Sequence, residues 1–461
     1  MTASKNYDFS SGIDTSIRRR ILTNSSLLGG SRALSAVMGL ATLIIAARAL
    51  DDQAAFGTLL FIHAYMLFFS EVVSLKIWQA IIRFGADDVK SDDPNSFGRL
   101  IKTSLILDVI CAVAAFVIAA LFFELFLWFR SLLGEGEPVL YASGADQVSL
   151  KKLVVIYCLV ILFRQFNVAT GIFRLFDKYT VLALRALVMP TVRLIGVIIA
   201  YYQDWGLVGF LSVWFVASFL SYITLQIFAF YELSKRKLLP FIYKAKFAHK
   251  SDIVGFFPFI IKTSIDSTLN AFKTYFPSLI IMVSLGPASL AVLRIAEEIA
   301  RLLSRGVAIF DEILLPEIAR LITENKLAEL LKLISKSALY IGLVSFAISL
   351  VVMIWGQALI TKGFEAGYED ADLLAVLLLF ASSILSISVP FYSTLYMLKR
   401  PGQAVWLRVI GIFVYFLIFI LTFKTFGLFA AAWAAIGAAL IEIILVIYRS
   451  LKIAKSSVNE D

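Results

Sequence analysis

The sequence predicts an all-α integral membrane fold of about twelve transmembrane helices, arranged as two six-helix lobes related by a pseudo-two-fold axis along the membrane normal. Three observations predict it. Of 461 residues, 60% are hydrophobic and only 16% charged, too little polar surface for a water-soluble chain of this length. The apolar residues fall into twelve runs, each long enough for a helix to cross a hydrocarbon core of ~30 Å. The two halves of the chain carry matching landmarks in the same order.

The runs lie near 25–50, 55–84, 100–130, 151–175, 178–202, 206–231, 253–284, 288–316, 332–356, 371–398, 403–424 and 428–449. They lack the short alternating pattern of a transmembrane barrel, so helices must satisfy their own backbone in lipid. Before them is a polar tail, 1–24, with no cleavable signal; after them is a short tail, 451–461. The longest polar insertions, 84–99, 131–150 and 233–251, are loops rather than domains.

Lys and Arg set the orientation. With the N-terminus inside, the outer loops hold only Arg48, Arg130, Lys151, Lys152, Lys362 and Lys424, and inner segments hold about four times as many. Both termini are therefore expected in the cytoplasm of an inner-membrane protein. The formal charge of +9 has this topological meaning and calls for no nucleic acid. The most basic segment, 233–251, divides an N-terminal lobe, 25–232, from a C-terminal lobe, 252–450. Leu50 through Gly57 matches Leu285 through Ala291, Leu182 through Val188 matches Val405 through Gly411, and Gly206-Leu207 matches Gly427-Leu428. Six spans per half leave both halves in the same orientation, facing each other across a central cleft.

Ionisable side chains inside the runs are the candidate functional residues, because each costs roughly 2.5–3.5 kcal/mol in the bilayer centre and normally faces water or a partner. Run seven carries Lys262, Asp266, Asn270 and Lys273 on one helical face. Run eight carries Arg294, Glu298, Arg301, Arg305 and Glu312, with Glu297 at the edge. Run four has Arg164, Asn167, Gly171 and Arg174; run two has Lys76, Gln79 and Arg83 with Glu71. Arg32, Asp108, Arg185, Arg193 and Glu442 stand in other runs. Internal pairing is one reading: Arg294 with Glu298, Arg301 with Glu297 or Glu298, Lys262 with Asp266. A hydrated cationic cavity built from Arg32, Lys76, Arg164, Arg193, Lys262, Lys273, Arg294 and Arg301 is the other, and it suits an anionic substrate. Gly29, Gly30, Pro190, Gly255, Pro258, Pro277 and Pro390 mark bends or close packing.

Cys111 and Cys158 read as small core residues, and His63 and His249 are too few for a metal site. No Walker A, H-E-x-x-H or G-x-S-x-G pattern stands in a suitable context. Nothing in the motifs marks an enzyme, and no cofactor is expected.

The start Leu27-Leu28-Gly29-Gly30 through Ala46-Ala47-Arg48-Ala49-Leu50 and Phe56-Gly57 carries a resemblance. So do Leu285-Gly286 with Leu315-Pro316-Glu317, and Tyr392-Ser393-Thr394-Leu395 through Gly427-Leu428. The chain resembles the Wzx-type polysaccharide flippases of the multidrug/oligosaccharidyl-lipid/polysaccharide exporter superfamily. The resemblance implies alternating-access transfer of an undecaprenyl-diphosphate-linked oligosaccharide from the cytoplasmic to the periplasmic leaflet. Its implied partners are the lipid-linked oligosaccharide, membrane lipids, a polysaccharide polymerase and a chain-length regulator. It also implies a place for ion coupling, for which Glu71, Asp108, Asp266, Glu297 and Glu298 are the carboxylates at hand. A cation-coupled multidrug antiporter of the same superfamily, or a membrane polysaccharide polymerase or ligase, are the rival readings.

Overall fold

The computed structural model describes residues 17–132, 139–141, 147–164, 167–247, 253, 255–324, 326–364, 368, 370–398 and 400–456. They are almost wholly helical. The first segments are α1 (Ile17–Leu50), α2 (Gln53–Val73), α3 (Ile77–Ser91) and α4 (Pro94–Leu132). Two three-residue strands, β1 (Val139–Tyr141) and β2 (Gln147–Ser149), pair antiparallel with Val139 opposite Ser149; this hairpin lies within the segment read as a loop. Then come α5 (Leu150–Cys158), α6 (Val160–Phe163), α7 (Asn167–Leu175), α8 (Tyr179–Tyr202), α9 (Gly206–Lys235) and α10 (Leu239–Lys244). The remainder is α11 (Phe256–Thr323), α12 (Leu327–Phe364), α13 (Asp370–Ile387), α14 (Val389–Met397), α15 (Pro401–Phe426) and α16 (Ala430–Ser456).

Among the described residues, ten helical stretches are long and apolar enough to cross a membrane. Two of them far exceed the ~20 residues that one crossing needs: Phe256–Arg301 has 46 residues and Gly402–Lys452 has 51. Each contains a break at a glycine, Gly286 at φ 84° and Gly427 at φ 52°, backbone conformations that a side chain with a Cβ disfavours. The breaks fall between runs seven and eight and between runs eleven and twelve of the sequence.

The outer faces are apolar. On α4, Leu105, Val109, Val113, Val117, Leu121, Leu125 and Trp128 are all exposed. A face of this extent in water would be an aggregation surface; in a bilayer it is the lipid contact.

The chain forms two compact units. One comprises residues up to Ala49 with Ile62–Tyr275, the other Leu50–Phe61 with Phe276 onward. The first is centred on Ile77, Ile81, Phe97, Ile101, Val168, Ile172 and Phe176, which pack α3, α4 and α7 against the end of α9. The second is centred on Ile318, Leu321, Ile334, Phe391, Leu395, Leu407 and Val446.

Helix ends share one device. Asp92, Asp177, Asp204 and Lys237 all take positive φ just past a helix. Six-residue backbone bonds accompany them, such as Lys178 N to Phe173 O at 2.7 Å and Trp205 N to Ala200 O at 3.1 Å. These bonds satisfy carbonyls that the helix itself leaves open.

Candidate functional site

Two membrane stretches of the first unit are interrupted, and the interruptions meet. The stretch Gln53–Ser91 loses its helix at residues 74–76. The stretch Leu150–Leu175 stops at Phe163 and restarts at Asn167, with Arg164 capping α6 at φ −79°, ψ 21°. A break inside lipid frees backbone groups that must find partners. Ser264 Oγ of α11 accepts the amide of Lys76 at 2.9 Å, and Thr268 Oγ1 donates to the carbonyl of Val72 at 3.2 Å. The restart of α7 is capped from α4: the Asp108 carboxylate accepts the Asn167 amide at 3.2 Å and the Asn167 side-chain amide at 2.9 Å. The same Asn167 side chain donates to Ser74 Oγ at 3.2 Å, tying one interruption to the other. Asp108 is 4% exposed and Asn167 3%.

The charged groups gather here. Glu71, on the last turn of α2, accepts from Lys76 Nζ at 3.1 Å and from Arg164 Nη2. Arg164 Nη1 also donates to Ser70 Oγ at 2.6 Å. A small cleft opens beside them, lined by Ser70, Ser74, Asp108, Cys111, Ile161 and Arg164, with two alanines. Lys76 and Arg164 are matched in number by Glu71 and Asp108, so the formal charges of this cluster balance.

Arg193 of α8 places its guanidinium 4.8 Å from the ring centre of Trp214. Arg32 and Lys262 are exposed, and Lys273 is half-buried on α11. The Asp266 side chain lies outside the described residues.

In the second unit, α11 carries a ladder on one face. Arg294 Nη1 donates to Glu297 at 2.7 Å, and Arg301 reaches Glu298 at 3.1 Å and Glu297 at 3.7 Å. Arg301 thus meets the glutamates that its spacing points to, whereas Arg294 pairs with Glu297 three residues on rather than Glu298 four on. Deeper in this unit, Tyr392 OH donates to the buried Glu442 at 2.7 Å, and Arg408 lies over the Tyr392 ring at 5.1 Å.

Ser70, Ser74, Ser264 and Thr268 were not marked by the sequence reading. Their functional signal is geometric: each meets a polar side chain or a freed backbone group from a distant segment. Both cysteines are free thiols; Cys158 is buried as read, and Cys111 is half-buried on the cleft wall.

Residues 21–322 match the family model described as polysaccharide biosynthesis protein. The chain is 26% identical over 355 residues to inner membrane protein YghQ of Escherichia coli (strain K12), covering 77% of this chain and 95% of that protein. Its fold is similar to the inward-facing conformation of a multidrug resistance MATE family transporter of the MOP superfamily. That likeness has a TM-score of 0.72 at 16% identity, over 92% of this chain and 96% of the other. A MOP superfamily transporter from Pyrococcus furiosus, whose binding pocket has reversed polarity, matches with a TM-score of 0.61 at 13% identity, over 96% of this chain and 99% of the other.

Proposed function

The chain belongs to the polysaccharide biosynthesis protein family, and from that premise we propose that it moves a diphosphate-linked lipid oligosaccharide across the inner membrane by alternating access. It is a multi-pass membrane transporter with the MOP-superfamily fold and not an enzyme, so the polymerase or ligase reading falls away. The finer reading names the undecaprenyl-diphosphate-linked repeat unit as cargo. The cytoplasmic leaflet is its origin and the periplasmic leaflet its destination, where a polymerase and a chain-length regulator take it over.

One observation carries this reading. Arg164 and Lys76 share a single carboxylate, Glu71, beside a cleft between broken helices. A diphosphate offers several oxygens where Glu71 offers two, and guanidinium suits phosphate in a forked geometry. Incoming phosphate would exchange with Glu71 on these cations, and Glu71 would reclaim them on release. Each state then keeps the two cations partnered.

Deleting the gene tests the cargo. The reading expects the lipid-linked repeat unit to accumulate on the cytoplasmic leaflet and surface polysaccharide to vanish. Normal surface polysaccharide in a strain without a second copy of the function would overturn it. A specific observation favours the antiporter rival: the cluster balances in charge and holds the buried Asp108, which would suit a cation. Drug sensitivity of the deletion strain with intact polysaccharide would select that rival.

The orientation belongs to the same proposal. Reporter fusions after Lys246 should read as cytoplasmic and fusions within 135–146 as periplasmic. The opposite sidedness at either point contradicts it.

A further inference from the structure

We propose that the corner between α9 and α10 is a binding site for anionic phospholipid headgroups at the membrane surface. Lys235 and Lys237 at the end of α9, and Lys244 and Lys246 at the end of α10, are all exposed. Tyr231 and Tyr243 flank them at 64% and 87% exposure. Between Tyr231 and Phe247 the sequence has one acid, Glu232. It is buried and spent on Arg236, whose Nε donates to it at 2.7 Å. The exposed charge between Tyr231 and Phe247 is therefore wholly positive, and among the described residues no ion pair holds any of the four lysines.

The corner is fixed rather than tethered. Arg236 is fully buried, with its guanidinium 3.8 Å from the Phe176 ring centre. Lys237 takes φ 57°, Lys237 N bonds Ser234 O at 2.9 Å, and Leu238 N bonds Leu233 O at 3.0 Å, which sets the angle at which the chain leaves α9. Lys102 of α4 then grips the end of α10, donating to the carbonyls of Tyr243 at 2.9 Å and Ala245 at 2.6 Å. Leu233, Leu238 and Ile242 are buried in the core of the first unit. The backbone that carries the four lysines is thus a fixed turn at the foot of a membrane helix, so little backbone ordering remains to be done on binding. Exposed tyrosines at that level suit the headgroup region, where an apolar ring and a polar hydroxyl are both satisfied. Clustered lysines next to a span attract acidic lipid. Lysines serving membrane orientation alone require neither this fixed geometry nor flanking tyrosines.

The test uses the full-length protein in nanodiscs of phosphatidylcholine containing a minor fraction of phosphatidylglycerol, with retained lipid counted by native mass spectrometry. The wild type should retain phosphatidylglycerol over phosphatidylcholine, and inorganic phosphate should not displace it. Lys235→Gln/Lys237→Gln and Lys244→Gln/Lys246→Gln should each weaken retention by about tenfold, since each lysine near a charged surface contributes a severalfold factor. Lys332→Gln/Lys336→Gln, which removes two exposed lysines of α12, should leave it unchanged. Undiminished retention in both corner variants, equal loss in the α12 variant, or displacement by phosphate would each overturn the proposal. The gene-deletion outcome above does not bear on it, because the lipid site stands whatever the cargo.

Discussion

Asp108 of α4 accepts the backbone amide of Asn167 at the first turn of α7, 3.2 Å away, with both residues buried. A carboxylate fifty-nine residues upstream thus caps a helix that begins inside a membrane stretch. Helix N-termini attract negative groups, because their first amides lack intrahelical partners and the helix dipole adds to the field. Asp108→Ala leaves the Asn167 backbone amide and one of its side-chain N–H groups unmet and should lower stability by roughly 1–3 kcal/mol. Asn167→Ala should do the same, and the double variant should cost less than the sum of the two. Thermal unfolding in detergent measures this; strict additivity would show that the contact carries no coupling.

Glu71 is the second hinge of the account. Glu71→Gln leaves Arg164 and Lys76 without their carboxylate and should cost about 3–5 kcal/mol, as breaking a buried ion pair from one side does. Glu71→Gln with Arg164→Gln removes both charges and should recover part of that loss. Fluorescence-detected gel filtration of membrane-extracted protein reads the difference. A double variant no better than Glu71→Gln would mean that Arg164 and Glu71 are not mutual partners.

The ladder on α11 makes a graded prediction. The Arg294 side chain is 8% exposed and Arg301 36%. Arg294→Ala should sharply reduce the amount of inserted protein, because Glu297 loses its buried partner. Arg301→Ala should cost about 1 kcal/mol or less and spare expression, and any loss of export would then be a loss of function. Equal abundance of the two variants would contradict the burial argument.

Gly286 isolates a backbone effect. A Cβ there would meet nothing within 4 Å, so Gly286→Ala tests only the conformation at φ 84°, ψ 177°. The expected cost is about 1–3 kcal/mol. Gly29 lies within α1 and also faces open space; Gly29→Ala should be neutral or stabilising by up to ~1 kcal/mol. Thermal shifts of the same sign for the two variants would remove the special role of Gly286.

The contrast between these residues explains what could be read from the chain. The spans were legible because lipid demands long apolar runs, and the Arg301–Glu298 contact because partners three or four residues apart share a helix face. The break at Ser74-Leu75-Lys76 was not legible, since it contains neither Gly nor Pro. It is held open by Ser264 and Thr268 of α11, nearly two hundred residues downstream. The proline signals divide: α8 runs unbroken through Pro190 and α11 through Pro277, whereas Pro390 stands in the first turn of α14, just past the break at Ser388. The Glu71–Arg164 pair joins residues 93 apart, a contact that no local periodicity encodes.

The central claim is transport of a diphosphate-linked lipid, and flipping in proteoliposomes tests it most directly. A fluorescent undecaprenyl-diphosphate oligosaccharide is placed in one leaflet, and its arrival in the other is followed by quenching from outside. The account predicts transfer by wild-type protein and transfer at least about tenfold slower for the folded Arg164→Lys variant, whose point charge replaces a forked donor. No transfer above protein-free vesicles by well-folded wild-type protein would contradict it.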